Sequence, residues 1–298
     1  MADILAIDVG TTALKIGVFD AKLRQKAQTS RRYAINLYDR CKADIEPEKW
    51  WHAIEDSCQE LRPHLSAVRV ISFSVTTPGL VPMDEDGEAL GPAILFLDGR
   101  SNIQAKEIRR RVGEETLLRE TCNLPVSGGS SLCSILWIKE NQADVWAATA
   151  RFGHCNTYLV KKLTGAWAID PSTTSITCMY NTAKDDLTWN EGILAAVGVP
   201  LAKLPPLLRS EQKVGNLRPA IAAKLGLSPE VAVLAGGNDA VLAAWSGGLS
   251  QPGDISNVHG TCDISSICIE QPVSSPAFNV RCHVIPHRWV IFYVLNTG

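Results

Sequence analysis

Short runs of branched apolar residues, each closed by a turn of glycines and hydroxyls, alternate along this chain with longer stretches whose apolar positions recur every three or four residues. Residues 3–9 and 14–20 read as two strands, and the GTTA connection between them makes a hairpin with hydroxyls at its tip. A third strand is expected over about 26–35. In PEKWWHAIEDSCQELRPHL the apolar spacing predicts a helix, with Pro47 at its first position and Glu46 and Glu48 near the positive end of its dipole. VRVISFSV reads as a β-branched buried strand, and a strand-like GLVPM and a tight DEDG turn at 84–87 follow it. Hairpin, helix and strand in that order predict an α/β fold.

From about 100 to 165 the pattern is helical, broken at Gly113, at LPVSGGSS and at Gly153, and CNTYLVKKLTG closes on Gly165 as a helix closes on its terminal glycine. DPSTTSITCMYN reads as a loop feeding an irregular strand. NEGILAAVG and RPAIAAKLGL are predicted helices on either side of the proline-broken VPLAKLPPLL. VAVLAGGNDAVLAAWSGGL repeats the logic of the opening, with a strand, a glycine turn bearing a carboxylate, and a helix. Beyond Gly248 the composition shifts. DISNVHGTCDISSICIEQ predicts two strands about a GTC turn, and NVRCHVIPHRWVIFYVLNTG two more. The domain boundary is therefore placed between residues 1–247 and 248–298.

A chain of 298 residues with 46% hydrophobic content can bury one large core or two ordinary ones. The 29 Lys and Arg against 31 Asp and Glu give a net charge of -2 with no long block of either sign. The RRR run at 109–111 reads as a solvated helix face, so no nucleic-acid partner is expected. The nine cysteines include no CxxC pair or His cluster of zinc spacing, and read as reduced, mostly buried thiols. No apolar stretch approaches the roughly 20 residues of a membrane span, and the N-terminus lacks a basic leader segment. The expectation is a cytoplasmic protein with no membrane partner.

Three turns could carry chemistry. In Asp8-Val9-Gly10-Thr11-Thr12 the glycine lets backbone N–H groups and threonine hydroxyls converge on an anion. A carboxylate repels bare phosphate, so Asp8 makes sense there if a divalent cation sits between them. Lys15 on the returning strand either adds a charge to the same phosphate or merely solubilises the strand. GGNDA at 236–240 offers Asp239 at a strand-to-helix junction, where in isolation it reads first as a helix cap and second as a carboxylate facing a cleft; Asn238 has the same two readings. HGTC at 259–262 is another small-residue turn able to present N–H groups and the Thr261 hydroxyl.

The ordered set DVGTTALK, DGEALGPAILFLDGRS, LTGAWAIDPSTTS, GGNDA and HGTC resembles the FGGY family of carbohydrate kinases, which includes xylulokinase, gluconokinase, fuculokinase and glycerol kinase. The resemblance runs over essentially the whole chain. It implies RNase-H-like α/β domains of the actin and hexokinase type, a sugar-binding N-terminal domain over 1–247, and the beginning of a nucleotide-binding domain over 248–298. It implies ATP-dependent phosphorylation of a hydroxyl of a small sugar or polyol, with ATP and Mg²⁺ as cofactors. Gly10, Thr11, Thr12 and Lys15 fall on the family's first phosphate motif and Gly260 and Thr261 on its second. Asp8 faces the magnesium, joined by Asp239 through water, and Asp239 matches the catalytic base. Thr77, Pro78, Asp98, Arg100, Asn238 and Asp239 are the sugar-side candidates.

Two departures qualify this. Where xylulokinases carry a QMHG-like stretch, this chain has Thr76-Thr77-Pro78-Gly79, nearer to the TTFG of fuculokinase-like members. Asp98 and Arg100 serve either as sugar contacts or as an ion pair bracing their loop. Family members also usually continue well past this point. If 298 residues is the whole molecule, the second domain has about four strands and no covering helices, leaving an apolar face and open edges. A catalytically silent sugar-binding or regulatory module is the alternative function, an actin-like ATPase a more remote one, and a homodimer the assembly considered.

Overall fold

The hairpin that opens the chain seeds the main sheet. The computed structural model describes residues 2–38, 41–259 and 263–295. In it β1 (Asp3–Val9) pairs antiparallel with β2 (Ala13–Phe19), and β2 with β3 (Gln25–Arg32). Period-two alternation sets the faces, burying Leu5, Ile7 and Val9 of β1 and Leu14, Ile16 and Val18 of β2. Two short strands the hydrophobic pattern did not reveal, β4 (Asn36–Tyr38) and β5 (Lys42–Ile45), lead into α1 (Glu48–Glu60). Trp50, Trp51, Ile54 and Cys58 form its buried stripe in the core that also holds β1 and β2. Pro47 stands one residue ahead of this helix rather than inside it. β6 (Val68–Val75) then lies parallel beside β1.

β7 (Gly79–Met83), β8 (Ala93–Leu95) and, later, β9 (Arg151–Gly153) complete a second sheet in the order β4-β5-β8-β7-β9. Between β8 and β9 run α2 (Asn102–Val112), α3 (Glu114–Thr121), α4 (Ser131–Asn141) and α5 (Ala143–Ala148), as the helical pattern predicts. The arginines at 109–111 are spent on Glu107 and Glu114. α6 (Cys155–Thr164) ends on Gly165 in the left-handed conformation. α7 (Pro171–Thr174) and a following 3₁₀ turn occupy the segment expected to be a loop and irregular strand. The reason is local: Asp170 accepts the N–H groups of Ser172 and Thr173 while Pro171 takes the first helical position, so Asp-Pro-Ser starts a helix.

α8 (Glu191–Val197), β10 (Lys213–Asn216), α9 (Pro219–Leu225), β11 (Ala232–Leu234), β12 (Gly237–Asn238) and α10 (Asp239–Ser246) follow. The main sheet has the order β10-β11-β6-β1-β2-β3, and β11 and β12 both lie parallel to β6. Gly236, at φ 76°, makes the β11–β12 turn, where a Cβ would stand 2.7 Å from the Cβ of Phe73 on β6.

The last four strands, β13 (Ile255–His259), β14 (Asp263–Ile269), β15 (Asn279–Cys282) and β16 (Trp289–Leu295), form an antiparallel sheet in the order β13-β14-β16-β15. The bare apolar face expected of it is covered on both sides. Cys268, Val290 and Phe292 pack with Val241 and Ala244 of α10, while Val280, Cys282 and Trp289 enter the core around α4 and α8. Asn123 seals this junction, donating to the Val280 carbonyl at 2.8 Å and accepting the Val280 N–H at 3.0 Å. Among the described residues, what stays open includes the edge strand β13, with Ile255 65% exposed, and Tyr293 of β16.

His154, at the start of α6, is buried and lies 2.6 Å from the Ser131 hydroxyl of α4, while its Nδ1 has no partner among the described residues. Burial pushes its pKa down from 6.5 to about 4, so the fold holds the ring neutral. A base with a depressed folded pKa contributes its full stability above the unfolded value and loses it as pH falls from about 6.5 towards 4. Urea unfolding is expected to reveal a loss on the order of 3 kcal/mol across that interval. His154→Gln should flatten this limb, and equal slopes in the two proteins would refute the assignment.

Candidate active site

Parallel register brings distant residues together. β1, β6 and β12 run in the same direction, with Asp8 opposite Ser74 and Ser74 opposite Gly237. Their carboxyl ends therefore deliver Asp8, Ser74 and the Asn238–Asp239 junction side by side, at the edge where open α/β sheets form their crevices. A cavity of about 520 Å³ opens there, walled by Asp8, Gly10, Ser74, Asp239 and the first two turns of α10. Asp8 and Asp239, 231 positions apart in the sequence, line one opening.

On the Asp8 side, Ser74 donates to Oδ1 at 2.8 Å, and Lys15, its partner across the hairpin, brings Nζ to 4.0 Å from Oδ2. Lys15 is 72% exposed, so its charge is well screened. The turn is tight: the Gly10 N–H donates to the Ala13 carbonyl at 2.9 Å, and a Cβ at Gly10 would meet that same oxygen at 3.0 Å. Tyr33 donates its hydroxyl to the Gly10 carbonyl at 2.6 Å, Thr11 lies 3.3 Å from the Thr76 hydroxyl, and Thr12 is exposed.

On the Asp239 side, the two readings of GGNDA separate. Asn238 is the helix cap, its Oδ1 accepting the Val241 N–H at 3.0 Å, and Asp239 is the first residue of α10. Relieved of capping, Asp239 turns to the cleft, with Oδ1 accepting only the adjacent Ala240 N–H at 2.7 Å among the described residues. Burial pushes its carboxyl above the usual range, against the lowering charge of Arg281 and the Ala240 N–H; the Asp8 charge pushes it further up. Asn238 is itself locked. Its amide donates to the Thr77 hydroxyl, its backbone N–H donates to Ser172 Oγ at 2.9 Å, and Arg281 donates to its Oδ1 at 2.7 Å. Ser172 in turn donates to Asp170. Thr77 is thus joined to the site through Asn238, and Pro78 follows it across a cis peptide bond.

Asp98 and Arg100 do not line this cleft. Asp98 is 1% exposed and accepts the Ala43 and Arg100 N–H groups at 2.7 and 2.8 Å, while Arg100 bridges Asp98 and Asp44 at 2.7 and 3.0 Å beneath Trp137. Both Asp98 oxygens and the Nε and Nη2 groups of Arg100 are used in these contacts with Asp44 and the loop itself, which is the geometry of a brace. Gly260 and Thr261 lie outside the described residues.

Sequence reading missed Ser74, Ser172 and Arg281. Ser74 had a signal, since alternate hydroxyls in ISFSVTT approach the strand end that faces Asp8. Ser172 follows the Asp-Pro pair that starts α7. Arg281 had none, because a lone arginine in a strand far from the other motifs looks like surface.

The comparisons with known proteins show the family and the fold. Residues 3–246 match the model of the FGGY family of carbohydrate kinases, N-terminal domain. The chain belongs to that family. It is 32% identical over 253 residues to the xylulose kinase of Lactococcus lactis, covering 84% of this chain and 50% of that protein, and 25% identical over 297 residues to the gluconokinase of Bacillus subtilis, covering 99% and 57%. The solved xylulose kinase of Rhodospirillum rubrum superposes with a TM-score of 0.92 at 22% identity, over 98% of this chain and 60% of that one, which establishes the actin- and hexokinase-like fold. The chain spans about half the length of the relatives it matches.

The brace carries its own test. Asp98→Ala leaves the 10%-exposed Arg100 with Asp44 alone, and loss of one partner of a buried pair should lower unfolding stability by about 3 kcal/mol. Urea denaturation checks this. A loss under about 1 kcal/mol would show that the pair does not brace its loop.

Proposed function

We propose that this chain belongs to a kinase that transfers the γ-phosphoryl group of ATP to a hydroxyl of a small sugar or polyol, of the xylulokinase-like kind. The observation that carries the reading is the convergence of Asp8 and Asp239 on one cavity at the carboxyl ends of parallel strands. Phosphoryl transfer requires positioning, charge neutralisation and one proton acceptor. The donor set suits Mg²⁺, a hard cation held by one or two carboxylates together with phosphate oxygens: Asp8 is 42% exposed towards the cleft and Asp239 shares it. When bound, that ion would neutralise phosphate charge. Gly10, Thr11, Thr12 and Lys15 offer the small turn, hydroxyls and cation that a phosphate needs, and Gly260 and Thr261 are proposed as a second phosphate contact.

Asp239 is proposed as the base. It accepts the hydroxyl proton as the sugar oxygen bonds to phosphorus and the bond from phosphorus to the leaving diphosphate breaks. Asn238 and Thr77 hold the acceptor side, with Pro78 shaping it; Asp98 and Arg100 are assigned to bracing. Residues 1–247 act as the sugar-binding unit and 248–298 as the beginning of the nucleotide-binding one. Free thiols at the eight described cysteines suit a reducing, cytoplasmic setting. The competing reading is a sugar-binding module without phosphotransfer. Calorimetry that detects sugar but never nucleotide would select it.

Coupled assay of ADP release with ketoses, polyols and aldonates tests the proposal. Asp239→Asn should lower turnover by about 10²- to 10⁴-fold while the protein still unfolds in one cooperative transition, and a variant retaining most activity would remove Asp239 as base. In the active protein, because burial raises the Asp239 pKa and the base works ionised, activity should fall with decreasing pH at a point above the ordinary aspartate range near 4. An acid limb at or below that range would contradict the role.

A further inference from the structure

A turn that grips an anion must offer its N–H groups to the ligand and keep its carbonyl oxygens occupied elsewhere, since the two carry opposite polarity and both demand partners. The turn after β1 is sorted in this way. The Val9 carbonyl accepts the Thr76 N–H at 2.8 Å, the Thr12 carbonyl the Tyr33 N–H at 3.0 Å, and the Ala13 carbonyl the Gly10 N–H at 2.9 Å. The Gly10 carbonyl accepts the Tyr33 hydroxyl at 2.6 Å. The N–H groups of Thr11 and Thr12 meet no acceptor among the described residues. Four carbonyls are thus satisfied and two adjacent donors left over, at a turn whose Gly10 lines the cavity shared by Asp8 and Asp239.

Two of those four contacts come from Tyr33, the residue that follows β3. Its side chain packs against the core of the main sheet, so the hydroxyl arrives from a fixed wall. Burial pushes the phenol above its usual pKa and keeps it a donor. The Gly10 carbonyl and the Thr11 N–H belong to one planar trans peptide and point in opposite directions. Holding the oxygen towards Tyr33 therefore aims the N–H away from it. Glycine alone would leave that peptide free to rotate and present its oxygen to the ligand instead.

We infer that Tyr33 is a positioning residue for phosphate: it locks the Gly10–Thr11 peptide so that the Thr11 N–H, together with that of Thr12, is offered to the phosphate in the cleft. The inference rests on the phosphate-binding reading of this turn given above and deepens it.

Isothermal titration of the 298-residue chain with magnesium tripolyphosphate, accompanied by amide NMR, tests it without requiring turnover. Tripolyphosphate should bind and shift the amide resonances of Thr11 and Thr12. Tyr33→Phe keeps the ring and deletes the hydroxyl; it should weaken binding about three- to ten-fold, the range of one hydrogen bond, and diminish the Thr11 shift. Tyr158→Phe removes a hydroxyl from Glu48 in the same core and should leave the affinity within about two-fold, which separates the clamp from general loosening. Unchanged affinity in Tyr33→Phe, or an equal loss in Tyr158→Phe, would overturn the inference and leave the phosphate reading of the turn standing. If the unaltered chain binds no tripolyphosphate, the phosphate reading itself is refuted and the inference falls with it. Should Tyr33→Phe fail to melt cooperatively, the Thr11 and Thr12 amides of the unaltered chain decide, and resonances that do not move would overturn the inference.

Discussion

The parallel pairing of β1, β6 and β12 is the constraint from which everything functional here follows. Each strand alone ends in an ordinary polar turn. Hydrogen-bonded in register, they place Asp8, Ser74 and Asp239 along one edge, with the opening of α10 above them. The register is secured from below by the core, since a slip of one residue would turn Leu5, Ile7 and Val9 out of the sheet and carry Asp8 with them. Burial of apolar side chains therefore fixes the position of a carboxylate that contributes nothing to that core.

A second layer of restraint acts on Asp239. Capping of α10 falls to Asn238, and Asn238 is held by Thr77, Ser172 and Arg281, which come from three different parts of the chain. The carboxylate that follows is fixed in place while keeping most of its own acceptor capacity. The same joints bind the last sheet to the rest: Asn123, Ser175 and Thr182 hydrogen-bond to β15 and β16, and Trp289 fills the core beneath them. The described part of the last sheet thus holds Asn238 as well as completing the packing.

Much of this was legible in the sequence. The opening hairpin, α1, β6, the helices between 102 and 164 and the four closing strands follow from apolar periodicity and glycine punctuation, because tertiary packing reinforces the local pattern there. The elements that escaped are those in which tertiary contacts dominate. β4, β5 and β8 are three or four residues long, too short for period two to register, and exist by pairing with one another. The α7 turn looked like a loop because its serines and threonines suit one, although Asp170 and Pro171 announced a helix start. At the site, glycine turns exposed Asp8 and Asp239 to sequence reading; Arg281 was invisible, since its significance lies wholly in a contact with Asn238, 43 positions away.

The central claim is that Asp8 and Asp239 face each other across one cleft, and a double-mutant cycle on unfolding stability at low salt measures it most directly. Asp8→Asn and Asp239→Asn should each relieve the same like-charge repulsion, so the double variant should gain less than the sum of the two, by about 0.5 kcal/mol or more. Strict additivity would mean that the two carboxylates do not share an opening, and the enzymatic account would fail.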